Sequence, residues 1–224
     1  MKLTVRKRQI DLPKPLLYLI TSGATTERTT PTSEDFARLI GLVQAAVQAR
    51  IDLIQIREKQ LSARTLHYLA IRAVEITRGS VTRLLVNDRA DIALASGADG
   101  VHLTSTSLDA TVVRRTFGSD LLIGVSTHSL EEAAAARRGG ADFAVFGPVF
   151  KTQSKPLQGT PLGLDSLSEA TRALAPFPLI ALGGITMQNA HEALRAGAAG
   201  VAAIGLFSDE QRLQEIVREM KAGK

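Results

Sequence analysis

The chain has 224 residues, 45% of them apolar and 22% charged, enough to bury the core of one domain. It contains no cysteine, which excludes disulfides, thiolate catalysis and cysteine-ligated metal centres and suits a reducing cytoplasm. Four cations in the first ten residues supply most of the net charge of +5, so we predict a basic N-terminal arm at residues 1–15. We expect no nucleic-acid partner, since only 4% of residues are aromatic, and no membrane span, since proline and glycine break the uncharged runs.

Eight short apolar runs, each followed by an amphipathic stretch, predict alternating strands and helices. The runs are residues 16–21, 51–57, 83–88, 100–104, 121–127, 143–150, 178–185 and 200–207. Nearly continuous apolar runs are typical of parallel strands covered on both faces. Gly97, Gly140 and Gly197 are expected to end helices in the left-handed conformation before the next strand begins. The pattern predicts an α/β fold, a single (β/α)8 TIM barrel over residues 16–224, with functional residues where the strands end.

Polar residues stand at alternate positions where the second predicted strand ends, in the segment QIREK. Alternation along a strand places Gln55, Arg57 and Lys59 on one face, here the interior or the mouth of the barrel. Two cations turned inward are costly unless an anion or an acid meets them. One interpretation is therefore an internal ion pair with Glu58 or an aspartate, and the other is a clamp for a polyphosphate.

The third and fourth strands end differently. Asn87 and Asp88 follow the apolar run of the third strand and so arrive at the rim of the barrel. Such residues often simply end a strand, but an aspartate beside the cations of the second strand is also what a phosphate-bridging Mg²⁺ requires. The fourth strand runs instead into four hydroxyl residues at positions 104–107, with no charge among them.

The fifth and sixth strands also end in candidate site residues. Ser126 and His128, in GVSTHS, are placed to reach the mouth, whereas Ser129 is expected to cap the next helix. The sixth strand leads into GPVFKTQSKPLQGTPLG, where Thr152, Ser154 and Lys155 offer hydroxyls, amides and an ammonium group to a phosphate. A solvated surface loop is the alternative interpretation of that segment.

Glycines at the ends of the last two strands leave the backbone accessible. Gly183, Gly184 and Gly205 lack a side chain, so a ligand can approach their amides closely. Barrels often bind a phosphate in the loops after strands seven and eight. The sequence therefore predicts two phosphate-type sites facing one mouth, with cations from strands two and six and bare amides from strands seven and eight.

Taken in order, the motifs QxREK, ND, GVH, GVSxH, GPVFxTxxK and GGI resemble the thiamine phosphate synthase family, which includes the related thiazole tautomerases. The likeness covers residues 16–207, and the motifs are specific as an ordered set although each is weak alone. The resemblance implies an enzyme of thiamine biosynthesis. A synthase of this family joins 4-amino-2-methyl-5-hydroxymethylpyrimidine diphosphate to 4-methyl-5-hydroxyethylthiazole phosphate, giving thiamine phosphate and pyrophosphate. Its mechanism is dissociative: pyrophosphate departs to leave a pyrimidine carbocation, which the thiazole nitrogen captures.

The resemblance also implies a role for each matching residue. The diphosphate would be held by Gln55, Arg57, Lys59, Asn87 and Lys155. Asp88 would bind a Mg²⁺ cofactor. Ser126, Thr152 and Ser154 would line the pocket, and the candidate catalytic residues are Lys155, Ser126 and His128. Gly184 and the backbone at Ile204 and Gly205 would take the thiazole phosphate.

One stretch departs from the family pattern. Synthases typically read H-[LI]-G-Q-E-D after the fourth strand and use the final aspartate as a second Mg²⁺ ligand, whereas Ser107 stands at that position here. Asp109 is a weak candidate substitute, since its place before ATVVRR indicates a helix cap. Tautomerases also tend to lack this acid, which favours them. They commonly alter the positions of Lys59, Asp88 and Lys155, however, and all three are intact.

The synthase is therefore the favoured function. The alternative is a thiazole tautomerase acting on a carboxythiazole phosphate, with His128 as its acid–base group. A barrel isomerase of an unrelated sugar phosphate and a non-catalytic binder or regulator of the thiamine pathway also stay open, because a fold alone does not assign a function. We expect small phosphorylated molecules as partners and, from the family alone, a homodimer.

Overall fold

The structure is a computed structural model, which describes residues 14–152 and 160–223. It confirms the predicted barrel: eight parallel strands follow one another around a closed sheet in chain order, the eighth pairing with the first. Residues 1–13 of the predicted arm lie outside the described residues. Ser154 and Lys155 lie outside them as well.

The strands are short and begin within two residues of the predicted starts. They are β1 Leu16–Ile20, β2 Leu53–Ile56, β3 Arg83–Asn87, β4 Gly100–Leu103, β5 Leu122–Thr127, β6 Phe143–Phe146, β7 Leu179–Leu182 and β8 Gly200–Ala203. The helices in the described ranges are α1 Glu34–Gln48, α2 Ala63–Thr77, α3 Ala90–Ser96, α4 Ala110–Phe117, α5 Leu130–Arg138, α6 Gly163–Leu174, α7 Ala190–Arg195 and α8 Leu213–Lys221. None of these helices is both long and apolar enough to cross a bilayer.

Most predicted strands extend further in the sequence than in the sheet, and the sixth and the eighth do so most, by four residues each at their carboxyl ends. The sixth leaves the sheet after Phe146, because Pro148 has no N–H to donate to a ladder. The eighth gives way to a 3-10 turn at Gly205–Phe207, which buries the ring of Phe207 completely. Both departures bring loop backbone over the carboxyl ends of the strands.

Alternation along the strands divides the core into two layers. In β1, Leu17 and Leu19 face the helices, whereas Leu16, Tyr18 and Ile20 face the interior of the barrel. The interior layer is closed, since the residues that fill it are almost inaccessible to solvent. Near the carboxyl ends of the strands, the polar side chains of Gln55, Asn87 and His102 replace the apolar ones and lead to the open mouth.

Helix ends follow the local signals in the sequence. Gly97, Gly140 and Gly197 have φ values of 78°, 84° and 98°, which confirms the predicted left-handed residues. Ser129 caps α5 by accepting a hydrogen bond from the amide of Glu132, as predicted.

The opposite end of the barrel is closed by ion pairs. Arg114 of α4 contacts Asp142 at 2.7 Å, and the same carboxylate accepts a hydrogen bond from the amide of Ile123. Lys221 of α8 contacts Asp52 at 2.8 Å, and burial raises the pKa of that carboxyl. These contacts tie the last helix and a middle helix to the sheet, and they lie away from the open mouth.

Candidate functional site

A cavity of about 300 Å³ opens at the carboxyl ends of the strands. Side chains from β2 to β6 and the loops that follow them form most of its wall. Ile20 of β1, Leu182 and Gly183 at the end of β7, and Ile204 after β8 form the rest. The predicted site residues that line it are Gln55, Arg57, Lys59, Asn87, Ser126, His128, Thr152 and Ile204. The structure thus brings most of the predicted site together in one place.

The charged side chains that line the described wall of the cavity are all positive. Arg57 and Lys59 both line it, and no carboxylate does so among the described residues. Glu58 turns away and accepts hydrogen bonds from the amides of Gly23 and Thr25, at 3.1 and 3.2 Å. The structure therefore contradicts the internal ion pair with Glu58, and within the described ranges both cations lack an acidic partner.

A buried amide pair forms part of the cavity floor. The Nε2 of Gln55 donates to the Oδ1 of Asn87 over 2.9 Å, and the two side chains are only 2% and 8% exposed. This contact joins the end of β2 to the end of β3. It orients both amides before any ligand arrives.

His102 is a cavity residue to which the sequence analysis assigned no role. Its Nδ1 lies 3.2 Å from the hydroxyl of Tyr18, and its Nε2 lies 2.8 Å from the hydroxyl of Ser126. Burial first, and the nearby Arg57 second, lower the pKa of His102 to about 3, so the ring is neutral at ordinary pH. The inward position could have been found from alternation, since Val101 and Leu103 face the helices.

His128 lines the same cavity from the loop after β5. Its Nδ1 hydrogen-bonds to the carbonyl of Gly147, which can only accept, so this nitrogen carries a proton. Its backbone amide donates to the carboxylate of Glu132 at 2.6 Å. The loop is therefore fixed from two sides, and in the neutral ring Nε2 is left to take up a proton.

The four hydroxyl residues after β4 form a turn beside the cavity. Thr104, Ser105 and Thr106 line the wall, whereas the hydroxyl of Ser107 accepts a hydrogen bond from the amide of Thr104 at 2.8 Å. Ser107 thus holds the turn in shape, and its neighbours present hydroxyls to the cavity. Asp109 caps α4, as predicted, because its carboxylate accepts from the amide of Thr111 at 2.7 Å.

Asp88 stands next to the cavity but is not part of its lining. Its backbone is left-handed, with φ of 63°, and its amide donates to the carbonyl of His102 at 2.8 Å. The side chain is exposed at the rim. No group of three potential metal ligands occurs in the described part of the chain. A single carboxylate fits Mg²⁺ only where substrate phosphates and water supply the other oxygens.

The glycines after β7 and β8 differ in what they do. Gly183 lines the cavity, but Gly184 and Gly205 do not. A Cβ on Gly184 would lie 2.3 Å from the carbonyl oxygen of Lys151, and its φ is 63°. Gly184 is therefore required for the approach of the loop after β6, and of the three glycines predicted to offer bare amides only Gly183 is part of the cavity wall in the described residues.

The fold and the cavity together define a (β/α)8-barrel protein whose mouth is lined by cations and hydroxyl groups. A family model described as thiamine monophosphate synthase matches residues 17–207, and the chain belongs to that family.

Several known proteins are similar to this chain over most of its length and most of their own. A chain from Geobacter sulfurreducens is 47% identical over 184 residues, which are 82% of this chain and 86% of its own length. The thiamine-phosphate synthase of Chlorobium luteolum is 42% identical over 191 residues, 85% of this chain and 89% of that one. The solved structure of thiamine phosphate pyrophosphorylase from Pyrococcus furiosus has a TM-score of 0.76 at 30% identity and covers 93% of this chain and 94% of its own.

Proposed function

We propose that this protein is a thiamine phosphate synthase. It condenses 4-amino-2-methyl-5-hydroxymethylpyrimidine diphosphate with 4-methyl-5-hydroxyethylthiazole phosphate, giving thiamine phosphate and pyrophosphate. The observation that carries the proposal is the pair of cations, Arg57 and Lys59, that line the cavity without a carboxylate in its described wall. A diphosphate substrate provides the anionic partner that two such cations need.

The proposed roles follow the wall of the cavity. Arg57 and Lys59 bind the diphosphate, and the paired amides of Gln55 and Asn87 stand beside them with fixed orientation. Lys155 is assigned to the same group from the sequence alone, since it lies outside the described residues. The hydroxyls of Ser126, on β5, and Thr152, in the loop after β6, contact the substrate from the opposite side.

Stabilisation of the leaving group is the chemistry that this wall supports. In a dissociative reaction the diphosphate gains charge as its bond to the pyrimidine carbon breaks, and cations that are already in place stabilise that charge without reorganising. The reaction needs no protein nucleophile, and the thiazole nitrogen must lie close to the carbon when the bond breaks. The neutral His102 and the apolar side chains of Ile20, Val145 and Leu182 limit access of water to the cavity floor.

Asp88 is the proposed Mg²⁺ ligand, with the substrate's phosphate oxygens and water completing the coordination. A bound Mg²⁺ would neutralise part of the charge on the departing diphosphate. The thiazole phosphate is assigned to the side of the cavity formed after β7 and β8, where Gly183 and Ile204 contribute to the wall. Gly184 and Gly205 are proposed to act there through the shape of the loops. A homodimer and a cytoplasmic location remain predictions of the family resemblance and the composition.

A thiazole tautomerase is the second candidate, and one observation favours it. His128 lines the cavity with its Nδ1 proton held by Gly147, which leaves Nε2 as a base for proton transfer. A tautomerase acts on one phosphate, however, and has no use for a second set of cations. This is why we prefer the synthase.

One assay distinguishes the candidates. The purified protein is incubated with each thiazole phosphate isomer, with and without the pyrimidine diphosphate, in the presence of Mg²⁺. Formation of thiamine phosphate and pyrophosphate supports the synthase. Isomerisation of the carboxythiazole phosphate without condensation establishes the tautomerase, and binding without turnover of either kind establishes a regulator or binder.

A further inference from the structure

Ser126 lines the cavity, and buried residues in the interior of the barrel determine whether its hydroxyl donates or accepts a hydrogen bond there. A serine hydroxyl has one proton to donate and two lone pairs that accept, and its existing partner decides whether the proton remains available to a ligand. Within the described part of the chain, the only partner of the Ser126 hydroxyl is the Nε2 of His102, at 2.8 Å. The Nδ1 of His102 lies in turn 3.2 Å from the hydroxyl of Tyr18. The three side chains form one line from the core to the cavity.

Tyr18 determines the direction of this line. Its side chain is completely buried, and in the described residues its hydroxyl has only the Nδ1 of His102 as a partner. A buried hydroxyl proton without an acceptor is costly, so the Tyr18 O–H donates and Nδ1 holds a lone pair. A neutral imidazole has one proton, which then lies on Nε2 and is donated to Ser126. The other tautomer and the imidazolium both place a proton on Nδ1 and leave the Tyr18 proton without an acceptor.

Packing keeps the imidazole in this orientation. Gly124 pairs with His102 across β4 and β5, and a Cβ there would lie 2.9 Å from Nδ1 and 2.3 Å from the ring of Phe143. The rings of Tyr18 and Phe143 lie 5.8 and 6.3 Å from the imidazole, measured between centroids. A glycine is therefore needed at this point, and the surrounding rings oppose a flip that would exchange the two nitrogens.

We propose that Tyr18 and His102 are positioning residues that make Ser126 a hydrogen-bond donor to the substrate. Because Oγ already accepts from Nε2, its own proton is directed to the occupant of the cavity, and the ligand atom that receives this proton must be an acceptor. The identity of the ligand rests on the proposed function. The pyrimidine diphosphate has two kinds of acceptor, the ring nitrogens and the diphosphate oxygens.

The first test measures the tautomer directly and needs no enzymatic activity. Nitrogen-15 NMR is recorded on the unliganded protein with labelled histidine near neutral pH, and the His102 signals are assigned by their loss in His102→Asn. We expect a proton on Nε2 and none on Nδ1. A proton on Nδ1 of His102 overturns the proposal, whatever reaction the protein catalyses.

The second test asks whether the hydrogen-bonded chain of Tyr18, His102 and Ser126 affects substrate binding. Tyr18→Phe removes the buried hydroxyl and keeps the ring, which releases the constraint on the tautomer. We expect the KM for the pyrimidine diphosphate to rise about two- to tenfold, the net worth of one hydrogen bond, with no comparable rise for the thiazole phosphate. Combining it with Ser126→Ala should add nothing to the effect of Ser126→Ala alone. Tyr68→Phe, at a 41% exposed tyrosine on α2, is the matched control and should change neither KM.

Two small ligands identify the acceptor. Inorganic pyrophosphate offers only phosphate oxygens, and the unphosphorylated hydroxymethylpyrimidine offers ring nitrogens without a phosphate. Ser126→Ala should weaken the binding of whichever ligand it contacts. Unchanged binding of both ligands, or additive effects of the Tyr18 and Ser126 substitutions, would overturn the proposal. Failure of the unmodified protein to form thiamine phosphate would overturn the proposed function instead and leave the NMR result intact.

Discussion

Gln55 and Asn87 are hydrogen-bonded to each other across the ends of β2 and β3, with 2.9 Å between Nε2 and Oδ1, and both are buried. Asn87→Leu should leave the Gln55 amide without this partner and lower the free energy of unfolding by about 1–3 kcal/mol. Replacing both residues by leucine should cost less than that, since no amide is then left unpaired. Urea denaturation measures the effect, and Arg38→Ala at an exposed site on α1 serves as the control. A double variant less stable than Asn87→Leu would contradict the account.

Arg57 is expected to distinguish the two anionic ligands. Arg57→Ala should weaken binding of pyrophosphate by about 1.5–3 kcal/mol, roughly ten- to hundredfold in Kd, because a charge-assisted contact is lost. Binding of the thiazole phosphate should change little. Titration calorimetry with both ligands is the measurement, and Arg72→Ala on the exposed face of α2 is the matched control. Equal weakening of both ligands would mean that the two phosphate sites are one; the same experiment applies to Lys155→Ala.

His128 separates proton transfer from condensation. If the protein isomerises thiazoles, His128→Asn should slow proton exchange on the thiazole about 10²–10⁴-fold, the usual contribution of a general acid–base group. If it is a synthase, condensation should continue with a modest loss. Proton exchange is followed by NMR in deuterated buffer, and condensation by release of pyrophosphate. A severe loss of condensation with unchanged ligand binding would show that His128 takes part in the synthase reaction.

Ser107 tests the metal site from the position where other synthases have an aspartate. Ser107→Asp should lower the Mg²⁺ concentration needed for condensation, since a second carboxylate strengthens a hard-cation site. Direct titration with Mn²⁺, with pyrophosphate present, should show tighter metal binding independently of turnover. Ser107→Asn keeps a side chain of similar size without the charge and is the control. A lower affinity for thiazole phosphate with no gain in metal binding would instead favour a tautomerase pocket.

The lowered pKa of His102 leads us to expect that the free energy of unfolding depends on pH. Its pKa is lowered to about 3 in the folded protein, mainly by burial, against a value near 6.5 when unfolded. Between these two pH values the imidazole of residue 102 is therefore protonated in the unfolded chain and neutral in the folded one. Its contribution to stability is complete above the unfolded-state pKa and is lost as pH falls toward the folded one, at up to about 1.4 kcal/mol per pH unit.

Denaturation in urea at about pH 7 and pH 5 measures this slope. His102→Asn should reduce it, whereas His191→Asn on α7 should not. An unchanged slope in His102→Asn would mean that another group causes the acid sensitivity.

Local pattern was sufficient to predict the strands and the inward cations. The apolar runs predicted the start of each strand to within two residues, and alternation correctly placed Gln55, Arg57 and Lys59 at the cavity. Those inferences use neighbours in the chain, which share one strand and its period of two.

Contacts between distant parts of the chain were not predictable in the same way. Tyr18 and His102 are 84 positions apart, and Ser126 is 24 positions beyond His102, so no local spacing relates them. Gly184 was interpreted as a ligand-binding amide, and the sequence did not show that its lack of a side chain also accommodates the carbonyl of Lys151 from another loop. The hydrogen bonds of Glu58 were not predictable either, because its partners Gly23 and Thr25 lie in the loop after β1.

The one-sided charge of the cavity wall also bears on how quickly a substrate arrives. We expect Arg57 and Lys59 to attract a diphosphate from a distance, since such steering raises association rates by about 10–10³-fold at low salt. The screening length falls from about 30 Å at 0.01 M salt to about 8 Å at 0.15 M, so the second-order rate of diphosphate capture should fall steeply over that range. Capture of the uncharged hydroxymethylpyrimidine by the same cavity should be nearly independent of salt, which makes stopped-flow kinetics of the two ligands a direct measure of the field at the mouth.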